Sequence, residues 1–150
     1  MDFYSNSQAY QFSKGAKCIE TYDFDKQIDK LLKLLSPQFG SMTYFSIGKK
    51  KSQACKSKIV SKRRSVYTGV TKNSSNYQTL IVINGKKTYV GSFTKEILAA
   101  ITFDFYSLLL HLEKATTNFS YTADEIMVMI ENFKSHGNKF DPYDYYGQRQ

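Results

Sequence analysis

Positive charge is the chemistry that this sequence concentrates. Of its 21 Lys and Arg, eight fall in the segment from Lys49 to Arg64, KKKSQACKSKIVSKRR, which holds no acid. The other 13 are balanced by the 13 Asp and Glu, so the whole net charge of +8 resides in that one stretch. No acidic residue occurs between Asp29 and Glu96. Cations gathered in this way can hold a phosphate backbone, releasing the counterions that screen it. The cluster is either such a polyanion-binding arm or a solvated linker without a ligand, and its KKK and SKRR runs fit a nuclear-import signal under both readings.

Side chains spaced for catalysis or metal binding are missing. Cys18 and Cys55 lie far apart without a Cys-x-x-Cys spacing, which argues for neither a zinc site nor a disulfide framework. His111 and His136 each stand without a second ligand nearby in sequence. Asp23, Asp25 and Asp29 fall in and around the first turn of an expected helix, where carboxylates interact favourably with the helix dipole. There is no Gly-rich phosphate loop, no nucleophile elbow and no Cys beside a plausible base. The expectation is a non-enzyme with no cofactor, no metal and no small-molecule substrate.

The elements that must position the cations read as one α+β domain. A chain of 150 residues is long enough for a single core. No apolar run is long enough to cross a bilayer, and MDFYSNSQAYQF lacks a signal-peptide pattern, so a nuclear or cytosolic location is expected. Residues 1–21 read as a polar tail. Residues 22–63 hold a short amphipathic helix over DFDKQIDKLLKLL, ended by Ser36-Pro37, and then a basic connector with MTYFSI as a possible short strand. Residues 64–120 read as three strands, beginning with SVYTGV, and a long helix from about Thr94 to Lys114. That helix is apolar well around its circumference and needs a second cover besides a three-stranded sheet. Residues 121–137 supply one: the capping box Thr122 to Glu125 opens a helix that stops near Gly137. Residues 138–150 read as a Tyr-rich tail, exposed or bound to a partner.

The centre of this domain is NYQTLIVINGKKTYVGSF, residues 76–93, where Asn84-Gly85 calls for a two-residue turn. Pairing outward from it sets Ile83 opposite Lys86, Val82 opposite Lys87, Ile81 opposite Thr88, Leu80 opposite Tyr89 and Thr79 opposite Val90. One face carries Tyr77, Thr79, Ile81, Ile83, Thr88 and Val90. The other carries Gln78, Leu80, Val82, Lys87 and Tyr89, and is neither clearly core nor clearly wet.

Several of these residues together resemble the AP2/ERF DNA-binding domain. They are Tyr67-Thr68-Gly69-Val70, the hairpin with its Asn-Gly-Lys-Lys turn, Gly91-Ser92-Phe93, Ala99-Ala100 with Phe103-Asp104 and the closing Asn118-Phe119. The family pattern runs Tyr-Arg-Gly-Val, a strand led by Trp, a turn, Leu-Gly-x-Phe, five residues, Ala-Ala-x-x-Tyr-Asp and Asn-Phe. The resemblance covers about residues 64–119. It implies a three-stranded antiparallel sheet packed on a long α-helix, with the opposite sheet face laid into the DNA major groove. The implied reading face is Thr71, Gln78, Leu80, Val82, Lys87 and Tyr89. Where well-known members of the family place guanine-reading arginines, this chain has Thr71, Leu80 and Val82, which implies modest specificity. Phosphate contact by Lys72, Lys86, Lys87 and the basic segment (Lys49, Lys50, Lys51, Lys56, Lys58, Lys62, Arg63 and Arg64) implies salt-sensitive affinity.

The resulting expectation is a duplex-DNA-binding protein of the nucleus, serving as an accessory subunit of a DNA methyltransferase, transposase-like or chromatin assembly. A stand-alone transcription factor is the nearest alternative. Protein docking through Leu80, Val82 and Tyr89 is another, and a double-stranded-RNA-binding module is a third.

Overall fold

The computed structural model describes residues 22–51 and 64–148. The first helix, α1 (Phe24–Leu35), starts where expected because Asp23 caps it: its carboxylate accepts from the Lys26 N–H at 3.1 Å. Phe24, Ile28, Leu31 and Leu35 form its buried face, and Ser36-Pro37 turns the chain into a short 3-10 segment. Strand β1 (Tyr44–Ser46) follows within MTYFSI and pairs antiparallel with the two-residue β5 (Tyr121–Thr122).

Strands β2 (Val70–Asn73), β3 (Asn76–Ile83) and β4 (Lys86–Phe93) form an antiparallel sheet in that order. Asn84 and Gly85 adopt φ of 51° and 76°, as a primed hairpin turn requires. The expected pairs from Ile83–Lys86 through Leu80–Tyr89 are all present, but Thr79 pairs with Gly91 rather than Val90. A bulge at Val90 resets the alternation of β4 and carries Phe93 to the buried side, opposite Tyr77. The first strand is also displaced from SVYTGV. Its Ser65 to Gly69 portion turns instead, with Tyr67 N–H donating to Ser65 Oγ at 3.1 Å. Gly69 sits at φ +80°, and a Cβ there would lie 2.0 Å from the Phe103 ring.

Helix α2 (Glu96–His111) lies across one face of this sheet and ends in a 3-10 turn at Leu112–Lys114. Ala99 and Ala100 let the helix approach closely: Thr79 Oγ1 donates to Ala99 O at 2.8 Å through the interface. The far side of α2 is covered by α1, by α3 (Ala123–Ser135) and by α4 (Pro142–Gln148). Phe105 and Tyr106 meet Phe133 of α3, and Phe105 stacks on Phe140 at 4.7 Å. Helix α3 opens on the expected capping box and closes at Gly137 with φ +67°. The Tyr-rich C-terminal segment is no exposed tail over its described length. Phe140 and Tyr145 are buried in the main core, because α2 offers more apolar surface than α1 and α3 can cover. The fold is α+β, a three-stranded sheet packed on a long helix with added N- and C-terminal helices. No helix among the described residues is long and apolar enough to cross a membrane.

Candidate nucleic-acid interface

Alternation along the strands divides the sheet sharply. Thr79, Ile81, Ile83 and Thr88 are buried against α2. Thr71, Gln78, Leu80, Val82, Lys87 and Tyr89 share the opposite face, joined by Thr71–Gln78, Leu80–Tyr89 and Val82–Lys87 pairings. Val82 is 50% exposed and Tyr89 40%, Lys87 is exposed, and Thr71, Gln78 and Leu80 are half-buried. Among the described elements, only α2 packs broadly on the sheet, and it does so from the other side. Ser92, set opposite Gln78 by the bulge, belongs to this outer face as well. Strict alternation from the turn misses it, and the signal that could have found it is Gly91 beside an aromatic that needs burial. Lys72 and Lys86 are exposed near strand ends.

Two further cations reach the same sheet from its β2 edge. Arg64 forms an isolated antiparallel bridge with Thr71. Lys51 Nζ donates to Ser65 O at 3.2 Å, so the chain on either side of residues 52–63 is fastened beside β2. Burial, and then the nearby Arg64 charge, hold the Lys51 amine below the usual lysine range. Lys49 is tied by its N–H to Thr117 O at 2.9 Å, and both Lys49 and Lys50 are exposed. Lys56, Lys58, Lys62 and Arg63 lie outside the described residues.

Ser65 is itself held by Glu96, whose Oε1 accepts from Ser65 Oγ at 2.7 Å, and a second, buried carboxylate ties the neighbouring loops together. Asp104 of α2 accepts from Asn118 N–H at 2.6 Å, Asn118 Nδ2 at 3.1 Å, Phe119 N–H at 3.0 Å and the Tyr121 hydroxyl at 2.8 Å. Asn118 in turn accepts from Thr68 N–H at 2.8 Å and donates to Thr68 O at 3.0 Å. The strand entry, the helix and the loop that receives Lys49 are therefore joined through one network. Burial pushes the Asp104 carboxyl up to about 6 despite those four donors. It has no access to solvent, which suits a structural tie rather than an acid or base acting on a ligand.

No group of three or more His, Cys, Asp or Glu among the described residues is placed to hold a metal. The Asp23, Asp25 and Asp29 carboxylates belong to α1, with Asp23 engaged as its cap. What the outer face offers is a surface of mixed polar and apolar side chains, with cations at its ends and along one edge. That chemistry suits contact with phosphates and base edges or with another protein. No protein-family model matches this chain, and no curated protein matches it.

Proposed function

We propose that this chain is a non-catalytic DNA-binding protein with an AP2-like unit, an accessory subunit of a nuclear DNA-acting assembly that holds duplex DNA mainly through its phosphates. One observation carries the reading. Helix α2 covers a single face of the sheet, leaving the other open with Lys87, Tyr89 and Gln78 on it and Lys51 and Arg64 gathered at its β2 edge. A two-stranded ribbon has the width to enter a major groove, where its outward side chains meet base edges and its flanks meet phosphates. Leu80 and Val82 can touch thymine methyls but cannot form the bidentate contacts that discriminate guanine, so affinity exceeds specificity. The six cations Lys49, Lys50, Lys51, Lys62, Arg63 and Arg64 supply counterion release.

Measuring the dissociation constant for a 20-base-pair duplex against salt tests this. Changing those six residues to Ala should lower the salt slope by up to about 5 if each meets a phosphate. An unchanged affinity and slope, with the circular dichroism spectrum of the parent retained, would remove the basic arm from the account. A duplex RNA of the same sequence should bind more weakly, since an A-form major groove is too narrow for the ribbon.

A further inference from the structure

Strand β2 is half the length of β3, and this leaves part of β3 with an open edge. The last described bond across that edge runs from Leu80 N–H to Gly69 O at 2.8 Å. Because Ile83 and Lys86 close a two-residue turn, Ile81 and Ile83 direct their backbone groups toward β4, while Leu80 and Val82 direct theirs the other way. The Leu80–Gly69 bond fixes that direction. The Leu80 carbonyl and both backbone groups of Val82 therefore face an edge with no described strand beside it.

A groove of about 410 Å³ runs along this edge, between β3 and the second half of α2. Phe103, Ser107 and His111, four residues apart along α2, form its far wall. Leu80, Ile81 and Phe103 make the lining apolar, and Lys87, His111 and Lys114 stand around it with no acid among the lining residues.

We propose that this groove takes an extended peptide of a partner protein, alternating apolar and acidic residues, which adds as a strand to the β3 edge at Leu80–Val82. The open backbone groups would give it its register, the apolar lining one set of its side chains, and Lys87 and Lys114 the other set. Charge decides between occupants. The chain's own basic segment would bring cations against cations, and a second copy would oppose the lysines of two identical edges. A duplex does not enter a cleft of this size. The inference rests on the open backbone edge of β3 and the helix wall, and it shares Leu80, Val82 and Lys87 with the open face, so peptide and duplex are titrated separately to tell the two readings apart.

Val82→Pro gives a direct test. Its N–H points to the open edge, so proline there removes an edge donor without breaking a bond to β4. The probe is a fluorescein-labelled ten-residue peptide alternating Val with Glu, compared with one alternating Val with Lys. Anisotropy should show the acidic peptide bound at least tenfold more tightly. Val82→Pro, and separately Lys87→Glu with Lys114→Glu, should each weaken it at least tenfold while far-ultraviolet circular dichroism stays that of the parent. Equal binding of the two peptides, or acidic binding that neither variant changes, would overturn the proposal. Concentration-dependent dimerisation lost in Val82→Pro would also overturn it, assigning the edge to a second copy. Duplex DNA titrated in parallel reports on the other reading, and either can fail alone.

Discussion

The two faces of the β3–β4 hairpin are built from similar residues and meet opposite fates. Thr79 and Thr88 are buried, whereas Val82 and Tyr89 are about half exposed. Residue type alone would assign them the other way round. What decides is which face α2 covers, and the threonines tolerate burial because both hydroxyls find acceptors: Thr79 Oγ1 donates to the Ala99 carbonyl and Thr88 Oγ1 to the Lys86 carbonyl. The outer face keeps Val82 and Tyr89 in contact with solvent beside Lys87, which is the arrangement the proposed DNA contact uses.

That contrast can be broken most forcefully by truncation on either side. Ile83→Ala should destabilise the protein by about 3 kcal/mol in chemical denaturation, since a buried isoleucine loses both its transfer energy and its packing. Val82→Ala, one residue away, should cost less than about 1 kcal/mol. Equal costs would mean that the outer face is covered after all. A smaller effect, about 1 kcal/mol, is expected for Thr79→Val, which keeps the shape of the side chain and removes its bond to Ala99.

The Asp104 tie beneath the basic edge adds a pH signature. Its folded carboxyl titrates at about 6, above its ordinary value near 4, so the folded state binds this proton more readily than the unfolded state. The penalty for burying the charge is therefore present above pH 6 and is relieved as pH falls toward 4. Between pH 7 and pH 5 this group alone should raise stability by about 1 kcal/mol. Asp104→Asn should lower stability at pH 7 by disturbing the network, and should lose that rise. The smallest effect belongs to Lys87→Ala. It should change stability by less than about 0.5 kcal/mol, yet reduce the salt slope of DNA binding by about 1 if Lys87 meets a phosphate.

Legibility in the sequence followed how local each signal is. The Asn84-Gly85 turn and the Thr122–Glu125 capping box are each complete within a few residues, and each stands where the sequence indicates. The bulge at Val90 is different. It depends on Phe93 reaching a cavity formed by Val70, Leu98, Ala99 and Ala100, which lie far from it in the chain or on the next element. The C-terminal Tyr145 and Phe140 carry no helical stripe of their own and are recruited by apolar surface left over on α2. The outer face was readable by alternation except at Ser92. The open edge of β3 was not, because it depends on β2 starting only at Val70 after the Gly69 turn.

The central claim is that the sheet face turned away from α2 is where duplex DNA lies. The most direct measurement is an amide chemical-shift titration of the 15N-labelled protein with a 20-base-pair duplex at low salt. Shifts should concentrate at Thr71, Gln78, Val82, Lys87, Tyr89 and Ser92, with Lys51 and Arg64 at the edge, and should leave α1 and α3 unmoved. Shifts confined to residues 52–63, or centred on the helical layer, would contradict it.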